Sequence, residues 1–125
     1  MISTGKSKKI LLVDDSRTLL SILSDFLKLK GYECTTINDG RNAIFLMSEK
    51  NFDTVLLDLH MPEMDGTEVI DKLARNGKIA DQKIILFTAS NITDQQIGEY
   101  LEKGVYACIR KPIQTDALLR VLERT

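Results

Sequence analysis

The sequence predicts an α/β domain, a doubly wound five-stranded parallel sheet with helices on both faces. Three observations predict it. Short apolar runs alternate with segments of helical periodicity along the chain, and that alternation implies βαβ crossovers. The runs at 10–13, 55–57 and 84–87 are continuously apolar, as strands buried on both faces of a parallel sheet should be. Gly31, Gly77 and Gly104 punctuate the helical segments, each closely preceded by Lys or Arg, which is the expected signal of a helix C-terminus.

Taken in order, residues 9–13 read as the first strand, and the next helix carries Leu19, Ile22, Leu23 and Phe26 at i, i+3, i+4 and i+7. Residues 33–37 form a second strand whose mixed composition suits a sheet edge. The second helix is marked by Ala43, Leu46 and Met47, the third strand by 54–57, and the third helix by Ile70, Leu73 and Ala74. A fourth strand at 83–87 leads to a helix with Ile97, Tyr100, Leu101 and Gly104 on one stripe. Thr93 and Gln96 have capping-box spacing at its start. Residues 106–109 make the fifth strand, and Leu118, Val121 and Leu122 the face of the fifth helix. The expected organisation is one domain over 9–125, with a mobile tail at 1–8.

Composition narrows the function classes. The 125 residues suffice for a single sizeable core. With 43% hydrophobic and 28% charged residues, the chain has an ordinary globular balance. Its 17 basic and 18 acidic side chains leave a formal net charge of −1, so no overall field favours nucleic acid or an anionic membrane. No apolar run approaches the roughly 20 residues a membrane-spanning helix needs. The short apolar run after the basic N-terminus is too brief for a signal peptide. The two cysteines, Cys34 and Cys108, make no disulfide framework. They are most simply small core residues, and a reducing cytoplasm is the expected compartment.

In an open parallel sheet, ligands bind outside the carboxyl ends of the strands. The residues leaving the strands here are Asp14 and Asp15, then Asp58, Thr88, and finally Arg110, Lys111 and Pro112. Three carboxylates, a hydroxyl and an ammonium thus converge on one edge from distant parts of the chain. Clustered carboxylates repel one another and raise each other's pKa unless a cation is present. A hard divalent cation such as Mg²⁺ suits oxygen ligands, keeps several waters, and completes its shell with phosphate. An aspartate so placed can attack phosphorus to form an aspartyl phosphate, with metal and lysine offsetting the phosphoryl charge.

The motifs are Leu11-Leu12-Val13-Asp14-Asp15-Ser16, Leu56-Leu57-Asp58-Leu59-His60-Met61-Pro62, Met64-Asp65-Gly66, Phe87-Thr88-Ala89 and Lys111-Pro112. Any one alone is a weak signal. All five, in order and at this spacing, make the chain resemble the receiver domain of two-component response regulators. The resemblance implies the flavodoxin-like strand order 2-1-3-4-5, which is a known example of the doubly wound class.

It also implies roles. Asp58 would be the phosphoacceptor and Asp15 a direct Mg²⁺ ligand, with Asp14 acting directly or through water and the backbone carbonyl of His60 as the third protein ligand. Thr88 would be the switch hydroxyl and Lys111 the phosphoryl partner, its bond to Pro112 cis. The implied partners are a sensor histidine kinase or histidine phosphotransfer protein and a downstream protein target. That target would be met by a face including Gln95, Glu99, Tyr106 and Arg110. The chain departs from the family pattern at Cys108, where a switch aromatic often stands. Tyr106, two residues earlier, is expected to face the same side of the fifth strand.

Other readings fit less well. An Asp-Asp pair can simply cap a helix, but that leaves Asp58 and Lys111 unexplained. A phosphatase using an aspartyl phosphate typically has a second acid two residues after the nucleophile, where this chain has His60. A flavin carrier needs a Ser/Thr/Gly-rich phosphate loop after the first strand, where Asp14 and Asp15 would repel phosphate.

Overall fold

The computed structural model describes residues 8–59, 61, 66–77, 79 and 82–124. Five strands alternate with five helices: β1 (Lys9–Val13), α1 (Arg17–Leu29), β2 (Glu33–Ile37), α2 (Gly40–Glu49), β3 (Thr54–Asp58), α3 (Gly66–Arg75), β4 (Lys83–Thr88), α4 (Asp94–Glu102), β5 (Ala107–Arg110) and α5 (Thr115–Glu123). All strand pairs are parallel, in the order β2-β1-β3-β4-β5. The predicted fold class and strand order are those observed.

Alternation along the central strands divides the core. Leu11, Val13, Val55, Leu57, Ile84 and Leu86 face α2 and α3, where they meet Ala43, Met47, Val69, Ile70 and Leu73. Ile10, Leu12, Leu56, Ile85 and Phe87 face α1 and α5, against Leu20, Leu23, Leu27, Leu118 and Leu122. Both faces of β1, β3 and β4 are therefore buried, which accounts for their continuous apolar runs. Each such side chain contributes about 1.5–3 kcal/mol relative to exposure.

Three strands differ from the sequence expectation in their bounds, β5 at both ends. β3 and β4 each run one residue further, to Asp58 and Thr88, because the ladder continues through the pairs Asp58↔Phe87 and Thr88↔Arg110. The polar identity of these residues concealed their place in the sheet. β5 begins at Ala107, one residue later than expected, although the Tyr106 N–H still donates to the Ile84 carbonyl at 2.8 Å.

The face of α1 also differs. Its buried residues are Leu20, Leu23, Ser24 and Leu27, whereas Ile22 is 60% exposed. The same i, i+3, i+4, i+7 template fits one residue later, and Ser24 within it obscured the true face. On α3, Ile70 and Leu73 are buried as expected but Ala74 is exposed. α4 has no buried residue: Ile97 and Tyr100 are half-buried, Leu101 is exposed, and Gly104 lies beyond the helix. The Thr93–Gln96 capping box is formed as predicted.

Gly31, Gly77 and Gly104 all have positive φ, the backbone state that closes a helix at little steric penalty only for glycine. Residues 1–7 of the expected tail lie outside the described residues. Lys8 is tied to β2, its carbonyl accepting from the Glu33 N–H at 2.9 Å. Cys34 and Cys108 are free and stand on the two edge strands, β2 and β5.

Candidate functional site

Parallel strands all deliver their carboxyl ends to one edge of the sheet, and the candidate site is built there. Asp14 follows β1, its N–H held by the Ile37 carbonyl at 3.2 Å. Asp58 closes β3 and Thr88 closes β4. Lys111 follows β5, its N–H donating to the Thr88 carbonyl at 2.7 Å, and its peptide bond to Pro112 is cis.

Ligand oxygens of Asp14, Asp15 and Asp58 all lie within 4.8 Å of one another. Asp14 and Asp58 are buried while Asp15 is exposed, so the cluster opens to solvent on one side. The Lys111 ammonium approaches Asp58 Oδ1 at 3.2 Å and Asp14 Oδ2 at 3.6 Å. Asp14 Oδ1 accepts the Ser16 N–H at 2.9 Å, and Ser16, rather than either aspartate, caps α1. The aspartate pair is thereby released from the simple capping role.

Burial pushes the Asp14 carboxyl above its ordinary pKa, and the neighbouring Asp58 charge pushes the same way. Burial works against the Lys111 ammonium, but Asp58 and Asp14 outweigh it and raise its pKa. Asp14 Oδ2 is buried and has no hydrogen-bond donor among the described residues. A buried carboxylate oxygen lacking a donor, in a group of three carboxylates, matches the all-oxygen ligand set of a hard divalent cation. These residues fit the metal expected at the site.

Thr88 is fully buried, and its hydroxyl donates to the Ile109 carbonyl of β5 at 3.3 Å. The His60 carbonyl, expected as a ligand, lies outside the described residues, as do Pro62 and Met64. Tyr106 does not share the side of Cys108. It precedes β5, its hydroxyl donates to the Arg124 carbonyl after α5 at 3.3 Å, and Lys83 sits 5.3 Å from its ring centroid. Cys108 packs against the α2–α3 core. The position expected to carry an aromatic thus holds a small thiol, paired with Leu86 across the sheet, and burial raises that thiol's pKa.

Two features escaped the sequence reading. Arg110 spans from β5 to the segment after β4, donating to the Ile92 carbonyl at 3.2 Å and pairing with Asp94 at 2.8 Å. Thr67 and Tyr100 hydroxyls, 33 positions apart, lie 2.8 Å from each other. Neither pair has a local sequence signature, because each partner is supplied by tertiary packing.

The fold and this edge define a receiver-type module. The sequence matches the response regulator receiver domain over residues 10–123, and the chain belongs to that family. It is 32% identical over 121 residues to the sensor histidine kinase RcsC of Escherichia coli K12, covering 97% of this chain and 12% of that kinase. It is 27% identical to the rice two-component response regulator ORR5, over 98% of this chain and 92% of ORR5. The signal receiver domain of a putative Luxo repressor protein from Vibrio parahaemolyticus superimposes with a TM-score of 0.86 at 26% identity, over 94% of this chain and 88% of that one. The chemotaxis protein CheY4 of Vibrio cholerae does so with a TM-score of 0.83 at 28% identity, over 94% and 98%. This chain therefore spans about an eighth of the length of RcsC but nearly all of ORR5 and CheY4.

Proposed function

We propose that this domain accepts a phosphoryl group on Asp58 from a histidine kinase or histidine phosphotransfer protein and, in response, alters a protein-binding face. The observation that carries the reading is the buried Asp58, 3.2 Å from the Lys111 ammonium and grouped with Asp14 and Asp15.

An Asp58 carboxylate oxygen attacks the phosphorus of the donor. An O–P bond forms, the donor's P–N bond breaks, and the imidazole leaves with the bonding electron pair and takes up a proton. Lys111 holds the Asp58 carboxylate and faces the charge carried by the incoming phosphoryl oxygens. Asp14, Asp15 and Asp58 would hold Mg²⁺, which when bound would offset charge on the transferring phosphoryl group. Thr88, held by a long hydrogen bond to the Ile109 carbonyl, would turn to a phosphoryl oxygen and carry the segment after β4 with it. The domain is not an enzyme acting on an outside substrate in this reading, since it assists only its own modification.

The comparisons with a sensor histidine kinase and a two-component response regulator support a kinase donor. No described helix is long and apolar enough to cross a membrane, and the two free thiols suit a reducing compartment. The free thiols agree with a cytoplasmic role.

Intact mass after incubation with Mg²⁺ and a small acyl-phosphate donor tests the proposal. One phosphoryl adduct is expected in the wild type, and none in Asp58→Asn or in excess chelator. An adduct that persists in Asp58→Asn would overturn the assignment of the acceptor.

A further inference from the structure

Away from the acidic cluster, a second set of polar contacts joins α4 to α3. The Tyr100 and Thr67 hydroxyls are 2.8 Å apart and part-buried. One turn along α4's C-terminal end, the Lys103 ammonium reaches Asp71 at 3.1 Å and lies 5.9 Å from the Tyr100 ring centroid. These contacts matter because α4 has no buried residue of its own, whereas α1 has four and α2 three. Tyr100 is its principal anchor. The ring packs against the α2–α3 core, and the main-chain carbonyl accepts the Val105 N–H at 3.2 Å.

The other end of the contact is equally telling. Thr67 is the second residue of α3, the first helix after the acceptor Asp58 in the sequence. An apolar contact can slide by an ångström and survive. A 2.8 Å hydrogen bond cannot, because it fails beyond about 3.5 Å. A displacement at the start of α3 therefore breaks the hydroxyl pair in an all-or-none way. The nearby Lys103–Asp71 pair cannot substitute, since both side chains are substantially exposed and such pairs contribute little.

We propose that the Thr67–Tyr100 hydroxyl pair is a latch coupling the acceptor site to α4, with Tyr100 as its positioning residue. Its signalling part rests on the reading that Asp58 is phosphorylated. The latch itself is a property of the unmodified protein. With the pair formed, α4 is held to the first turn of α3. With it broken, α4 keeps partial apolar contacts, the exposed Lys103–Asp71 pair and the Arg110–Asp94 clamp at its start.

Hydrogen–deuterium exchange of the α4 amides tests both parts. In unmodified protein, Tyr100→Phe and Thr67→Val should each speed α4 exchange by about twofold to tenfold, the loss expected for one hydrogen bond. The double variant should be no faster than either single one, and Thr67→Ser should match the wild type. Unchanged exchange in the singles, or additive effects in the double, overturns the latch. With Mg²⁺ and acyl phosphate, wild-type α4 exchange should rise toward the level of Tyr100→Phe. The variant should take the same phosphoryl mass without a further rise. A phosphoryl-dependent rise of wild-type size in Tyr100→Phe overturns the coupling. If the wild type takes no adduct, the proposed function and the signalling part fall together, and the unmodified arms alone decide the latch.

Discussion

Asp14 carries the conflict built into the site. It is 3% exposed and ionisable, close to a second buried carboxylate, and one of its oxygens has no hydrogen-bond donor among the described residues. Its folded pKa is raised by burial above the ordinary 3.8. The folded state thus holds the proton more tightly than the unfolded chain. Ionised Asp14 subtracts stability at neutral pH, and that penalty disappears as pH falls through the raised value towards 3.8. Asp14→Asn keeps the acceptor for the Ser16 N–H and removes the charge. In chelator at pH 7 it should unfold at higher denaturant, by about 1 kcal/mol, and the gain over wild type should shrink as pH approaches 4. A variant weaker than wild type under those conditions would show that Lys111 already offsets the buried charge. Residue types at the strand ends made Asp14, Asp15, Asp58, Thr88 and Lys111 legible without coordinates. Tyr106 was not legible in the same way. Strand periodicity assumes a strand, and the chain enters β5 one residue too late for that assumption.

The elements differ in how firmly they are held, and α4 shows it most plainly. Gly98 lies mid-helix with open space where a Cβ would be. Gly98→Ala should therefore stabilise the domain by about 0.5–1 kcal/mol through helix propensity. Gly104→Ala, just past the same helix, should do the opposite. Its φ of +109° suits glycine, and a Cβ there would stand 3.3 Å from the Ile79 side chain. A loss of about 1–2 kcal/mol follows from the backbone alone. Thermal unfolding of the two variants checks both signs. Element identity was readable because five helices and five strands differ in period. The buried face of α1 was less so, since two overlapping apolar stripes share Leu23, and only packing selects the one containing Ser24. The exposure of Ile22 and of Leu29, at 60% and 86%, is the residue of that ambiguity.

At the scale of the molecule, stability is graded from the centre of the sheet outwards. β1, β3 and β4 are covered on both faces, while β2 and β5 are edges with mostly half-exposed side chains. Amide exchange should be slowest in β1, β3 and β4 and fastest, among the helices, in α4. Fast exchange in β3 would contradict this grading. The grading has a functional consequence under the proposed reading: Asp58 sits on the most rigid strand, and the segments that respond to it sit on the least rigid side.

The strand order also bears on how the chain comes off the ribosome. β1 is made first, yet it lies between β2 and β3, and the Lys9 N–H is bound to an Asp53 side chain 44 residues later. Until β3 emerges, β1 has one side of its ladder open, and its two apolar faces lack the parts of the core that α3 and α5 supply. A nascent chain ending before residue 54 therefore presents an aggregation-prone edge rather than a folded half. For this domain, the second half of synthesis rescues the first.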